Sequence, residues 1–356
     1  FNYDGKMDIL TGFGPGGKDA AQPSILLIWE QYPDKAPTVI STRGAFAKGA
    51  TNVAYRNPQG HINVAAGNFV GEDLPLIIAA QGIGGNNQIR VFQLGNLRVA
   101  NGINKGTFSD QGTFRAWPGA GTPALWGNTS GGVSVAAGDL DGDGIDELVV
   151  GQLNGSEVGG FKPETYIQVL KLARNASGTV VVDKYSTPIH AFDDVAQYGL
   201  GGVNLAIGDV NGDGKNDIVV ASAGNPDATT KNLIRAFDMV VAGSDISLQP
   251  IMPARSVLAA SANPSGALSI AVGNLDRLSG DEILVGTQAT LNVNLETGAV
   301  TAANLPPRVL VRGVKLNFVD GAYSSFTEVR PQFEPFAGTA LPTSNSVFLG
   351  FYPAQE

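Results

Sequence analysis

Cysteine is absent from the 356 residues. Disulfides, thiol nucleophiles and covalent haem are therefore excluded, and the redox compartment is left unmarked. Histidine occurs only as His61 and His190, so catalytic triads have little material, and no Ser-centred elbow stands out. His190 lies in Pro188-Ile-His-Ala-Phe-Asp-Asp194 with no partner identifiable from spacing, and reads as a packed or solvated loop residue. Charge is sparse, at 15% of residues, with a net value of −9. That balance argues against nucleic acid or an anionic membrane surface as partner. No apolar run approaches the roughly 20 residues that span a bilayer, and no segment has the pattern of a long helix. The Gly-rich stretches 12–17 and 82–85 precede no helix that would present its N-terminus to phosphate, and read as tight connections. The chain opens at Phe1, inside a motif, as a mature, excised or fragmentary chain would.

Glycine, by contrast, occurs 47 times, and the hydrophobic fraction is an ordinary 43%. This composition fits many short strands joined by turns. The most informative stretch is Val135-Ala-Ala-Gly-Asp-Leu-Asp-Gly-Asp-Gly-Ile-Asp-Glu-Leu-Val-Val-Gly151. Two β-prone runs flank a loop with oxygen-bearing side chains at alternate positions: Asp139, Asp141, Asp143 and then Glu147. A hard cation such as Ca²⁺ takes six to eight oxygen ligands. Alternate residues of a tight loop can converge on one, with Gly142 and Gly144 supplying the dihedrals. The carbonyl of Ile145 offers a further ligand. The other reading is a hairpin turn rich in Asp and Gly, which are turn residues anyway.

The stretch recurs. Leu205 to Val220 is a second full copy, with Asp209, Asn211, Asp213, the carbonyl of Lys215 and Asp217 as candidates. Degenerate copies carry Asn68 and Glu72, and Asn274, Asp276 and Glu282. In these Val70, Leu76 and Leu278 stand at ligand positions, so both read as ordinary turns. A cut copy opens the chain with Asn2, Asp4 and Asp8. The anchoring glycines Gly67, Gly138, Gly208 and Gly273 are 71, 70 and 65 residues apart, a period that means a propeller or solenoid. Alternating Asp or Asn, then Asp-Gly, a β-run and a Gly resembles the FG-GAP (integrin-α-like, VCBS-type) repeat of calcium-binding β-propellers. Thr11-Gly-Phe-Gly-Pro-Gly-Gly17 and Ile89-Arg-Val-Phe92 resemble its long version in bacterial secreted and surface proteins. The resemblance implies Ca²⁺ as cofactor and an extracellular or cell-surface location.

The expected fold is all-β: a single β-propeller of four-stranded antiparallel blades, most simply five. The repeat units run 1–67, 68–138, 139–208, 209–273 and 274–345. Residues 346–356 supply a closing strand that pairs with Asp8–Thr11 and hides both edges. An extra hairpin is expected around Glu296-Thr-Gly298. Function is read as binding rather than catalysis. Loops on the face opposite the acidic loops carry Tyr55, Trp117, Trp126, Phe192 and Tyr198, aromatics that supply rigid contact area. The alternative is that these residues cap the blade ends as core. The partner is expected to be another extracellular protein, in adhesion or assembly, or a glycan. Aromatic positions that do not repeat at the 70-residue period count against the glycan. A propeller domain of a larger secreted enzyme is the third reading. Three glycosylation sequons, at Asn128, Asn154 and Asn175, are about what chance gives in such a composition.

Overall fold

The computed structural model describes residues 8–13, 24–30, 38–46, 62–82, 87–100, 103–117, 132–153, 165–192, 202–224, 232–258, 267–288, 290–293, 300–303 and 310–333. These residues are all-β, with no helix among them.

Among the described residues five antiparallel sheets of three or more strands follow one another along the chain, with one two-stranded hairpin besides. Sheet one holds β1 (Asp8–Phe13), β2 (Ser24–Glu30) and β3 (Thr38–Phe46). The second is built from β4 (Ile62–Gly67), β5 (Leu76–Gln81), β6 (Gln88–Ala100) and β7 (Ile103–Arg115). In sheet three are β8 (Val133–Gly138), β9 (Glu147–Gln152), β10 (Tyr166–Arg174) and β11 (Val180–Tyr185), with the short β12 (Ile189–His190) on β10. The fourth contains β13 (Val203–Gly208), β14 (Asp217–Ser222), β15 (Leu233–Ala242) and β16 (Asp245–Pro250), with β17 (Arg255–Ser256) on β15. Sheet five has β18 (Ala267–Gly273) and β19 (Glu282–Gln288), then, past a separate hairpin of β20 (Thr290–Val293) and β21 (Val300–Ala303), β22 (Val311–Val319) and β23 (Ala322–Phe333). In sheets two to five the strands pair in chain order, the up-and-down arrangement of propeller blades.

The second strand of a sheet explains the stacking. β5, β9 and β14 read as continuous apolar runs because both of their faces are covered. Side chains alternate between faces. Thus Ile77 and Ala79 join a cluster with Leu26, Ile28 and Phe46 of sheet one. Leu76, Ile78 and Ala80 join Leu148 and Val150 of sheet three. Val149 meets Ile218 and Val220 across the third gap, and Val219 meets Ile283 and Val285 across the fourth. Each fully buried aliphatic contributes about 1.5–3 kcal/mol, so the core is four layers between sheets rather than one centre.

The third and fourth strands are longer than the sequence suggests. β6 and β7 form one long hairpin, paired from Gln88↔Arg115 out to Ala100↔Ile103. β15 runs past Phe237 to Ala242 before turning at Gly243, whose φ is +66. The polar outer segments lack the apolar pattern because they lie at the rim. Ladder hydrogen bonds define them there. β23 is largely exposed. Among the described residues sheet one has three strands and no strand of sheet five pairs with it. The expected closing strand, 346–356, lies outside them.

Candidate metal loops

Each acidic loop joins the first strand of a sheet to the second, and one fixed residue holds it in shape. In loop 139–147, Asp139 Oδ1 accepts from the Gly142 and Asp143 amides at 2.7 and 3.2 Å, and Oδ2 from Gly144 N at 2.9 Å. Loop 209–217 repeats this, with Asp209 accepting from Gly212, Asp213 and Gly214 at 2.6, 3.1 and 2.9 Å. The glycines are required: Gly142, Gly144, Gly212 and Gly214 all have φ between +79 and +88. Farther along, Asp143 Oδ1 accepts from Ile145 N and Asp213 Oδ1 from Lys215 N, at 2.8 and 2.9 Å. The closing acids, Glu147 and Asp217, are fully buried. Glu147 Oε2 accepts from Leu140 N and Asp217 Oδ2 from Val210 N, at 2.8 and 2.9 Å.

A contact that the sequence reading missed ties each loop to its predecessor. Asp146 Oδ2 accepts from the amide of Asn68, 2.6 Å away, and Asp281 Oδ2 from that of Asp209 at 3.1 Å. Asn216 Nδ2 donates to the carbonyl of Asp139 at 3.0 Å. Position eight of every described loop after the first thus binds position one of the loop before it. The signal was present as a polar residue before each closing acid, but it was read only as part of the turn. Position two is buried as well. Phe69, Leu140 and Val210 insert beneath the following sheet, whereas Leu275, with no sheet after it among the described residues, is 40% exposed.

What faces the closing acid differs from sheet to sheet. In sheet two Gln93 pairs with Leu76, and in sheet five Lys315 pairs with Glu282. Lys171 and Asp238 stand at the same place, one residue beyond the pairs Leu148↔Leu170 and Ile218↔Phe237. Lys171 Nζ lies 2.7 Å from Asp141 Oδ2, 3.1 Å from Asp143 Oδ2 and 2.8 Å from Glu147 Oε1. Lys315 Nζ lies 3.0 Å from Asp276 Oδ2 and 2.7 Å from Glu282 Oε1. In sheet four the place is taken by an acid. Burial first, and then the Asp238 carboxyl, push Asp217 well above the usual carboxylate range. Burial also raises Glu147, against the pull of Lys171. Lys171 itself is held above the usual ammonium range, because its bonds to Asp141, Glu147 and Asp143 outweigh its burial.

The two full loops can be tested as cation sites on this geometry. One carboxylate oxygen from each of Asp139, Asp141 and Glu147 lies within 4.8 Å of the others, close enough to converge on one ion. Loop 209–217 offers Asp209, Asn211, Asp213 and Asp217, with Asp238 beside them and a recess of about 700 Å³, lined by Met252, Phe318 and Tyr323 among others, at its mouth. Two carboxylates 4 Å apart repel by about 4 kcal/mol at intermediate dielectric, and a hard divalent cation with oxygen ligands answers that repulsion. Of the opening copy, Asp8 begins β1, and Asn2 and Asp4 lie outside the described residues.

Two of the five expected contact aromatics are corrected. Trp117 is 6% exposed inside the core between sheets two and three, and Phe192 is 1% exposed in the core between sheets three and four. Both follow the last strands of their sheets, where a large ring caps the end of a layer. Tyr55, Trp126 and Tyr198 lie outside the described residues. His190 stacks on Tyr166 with ring centres 3.8 Å apart, in keeping with a packed residue.

Residues 131–167 and 201–232 match the family model of the FG-GAP repeat. A stretch of 89 residues is 39% identical to integrin alpha pat-2 of Caenorhabditis elegans, and covers 25% of this chain and 6% of that protein. The chain therefore carries integrin-like FG-GAP repeats, one around each of its two full acidic loops.

Proposed function

We propose that the chain is an extracellular, calcium-stabilised β-propeller of five blades that binds another protein in adhesion or assembly. The observation that carries the calcium is loop 209–217. There a fully buried carboxylate, Asp217, faces a second one, Asp238, and the Asn211 amide nitrogen donates to Asp213 Oδ2 and Asp217 Oδ1, each 3.3 Å away, so the loop gathers acids that, among the described residues, no lysine or arginine within it pairs. Calcium outside cells is millimolar, so even weak loops of this kind would fill. Closure of the ring is supported by the two ends of the succession. Ile25, Leu27 and Trp29 of sheet one and Leu284 of sheet five are half-buried on the faces turned away from their neighbours. The partly exposed Leu275 belongs to the same uncovered end. Residues 346–356 would give sheet one its fourth strand. A protein partner is favoured by the integrin alpha relative, and Tyr55, Trp126 and Tyr198 are the contacts proposed for it.

The test is the calcium content of Asp209→Asn against that of the unaltered chain, measured by equilibrium dialysis. One calcium fewer per chain is expected. An unchanged count removes the metal from this loop.

A further inference from the structure

We infer that Lys171 and Lys315 are tethered counter-cations, which take the place of the divalent ion in their own loops and leave loop 209–217 as the metal-dependent one of the three. This rests on the reading that the loops are calcium sites by design.

The geometry in sheet three is specific. The loop's backbone amides bond to both oxygens of Asp139 and to one oxygen each of Asp141, Asp143 and Glu147, leaving each of these a further lone pair. The oxygens that no backbone amide reaches are Asp141 Oδ2, Asp143 Oδ2 and Glu147 Oε1, and these are the three within ion-pair distance of the Lys171 ammonium. The ammonium donates hydrogen bonds to Asp141 Oδ2 and Asp143 Oδ2 and is ion-paired with Glu147 Oε1 at 2.8 Å. It sits where a calcium bound by the same oxygens, at about 2.3–2.6 Å, would have to sit. Both cannot be accommodated, so a metal must first expel a cation that is covalently attached and already in place.

Sheet five repeats the arrangement independently. Its loop has Asn274 at position one and Leu278 at position five, a set too poor in acids for a strong calcium site. The loop still folds as the others do: Asp276 Oδ1 accepts from Leu278 N and Glu282 Oε2 from Leu275 N, at 2.8 and 2.6 Å. The charge left there, on Asp276 and Glu282, is what Lys315 pairs. Two lysines in register, each on the third strand and each reaching the closing acid of its own loop, mark one device used twice. At the same register sheet four has Asp238, which increases the negative charge instead of cancelling it. Of these three loops, that of sheet four is the one that needs an externally supplied cation.

The experiment compares calcium bound per chain, by equilibrium dialysis, in the unaltered protein, Lys171→Met and Asp238→Lys. Lys171→Met keeps the stem and removes the charge, and should bind one calcium more than the unaltered chain. Asp238→Lys should bind one fewer. Should Lys171→Met fail to fold without metal, it is refolded in Ca²⁺ before dialysis, and a requirement for Ca²⁺ to refold supports the inference as well. A Lys171→Met chain that folds and binds no more calcium than the unaltered one overturns it. The Asp209→Asn comparison judges the calcium reading of loop 209–217 separately, since the Lys171→Met result does not pass through that loop.

Discussion

At the scale of the residue, the anchoring glycine of the repeat is explained by the next sheet. A Cβ on Gly208 would lie 2.4 Å from Val272 Cγ1 and 2.7 Å from Asp281 Oδ2, and one on Gly67 would lie 2.5 Å from Asp146 Oδ2. The glycine therefore serves the close approach of the following sheet and the loop-to-loop hydrogen bond. Gly208→Ala should cost about 1–3 kcal/mol through overpacking, read as a shift in the urea midpoint with an unchanged slope. A midpoint that does not move would mean that the sheets are not pressed together there. The acids at positions one, three, five and nine were legible in the sequence because their spacing is a chemical pattern. The residue facing them was not. Lys171 and Asp238 lie 24 and 21 residues beyond Glu147 and Asp217, and only the strand register brings them back. Trp117 and Phe192 show the converse: a large aromatic beside a Gly- and Pro-rich link looks like an exposed contact until the layer it caps is seen.

At the scale of the element, burial grades outward through each sheet. β5 and β9 are buried along their whole length and β14 up to its last residue, whereas β16 and β23 are largely exposed. Amide hydrogen exchange should follow this order, with the slowest protons in the second strands and faster exchange in the outer ones. Equal protection across a sheet would contradict the layered core. The same gradient decided what could be read beforehand. Apolar runs such as Leu76-Ile-Ile-Ala-Ala80 announced themselves, and the β20–β21 hairpin was expected within a few residues of where it forms. The outer strand Ile103–Arg115 is not legible in the sequence over most of its length. Its sequence, Ile-Asn-Lys-Gly-Thr-Phe-Ser-Asp-Gln-Gly-Thr-Phe-Arg, carries almost no periodic apolar signal, and its pairing with β6 supplies the order instead.

At the scale of the whole molecule, apolar layers and the loop-to-loop hydrogen bonds at position eight tie the sheets together, beside side-chain bonds such as Asn63 Nδ2 to the Val133 carbonyl and the Arg174–Glu72 ion pair. The layers and the loop-to-loop bonds both depend on the acidic loops keeping their shape, since Leu140 and Val210 are held under the next sheet by the same turns that arrange the carboxylates. A cation that binds only the folded loop adds RT ln(1 + [L]/Kd), about 2.7 kcal/mol at a hundredfold excess over Kd. With lysines serving two loops, that gain comes from loop 209–217, together with whatever the opening copy at Asn2, Asp4 and Asp8 contributes. The most direct measurement is the thermal melt of the unaltered chain in EGTA and then in Ca²⁺ added in excess over the chelator. The melting temperature should fall by several degrees in EGTA and recover with Ca²⁺; an identical melt in metal-stripped and calcium-loaded protein would contradict a calcium-stabilised fold.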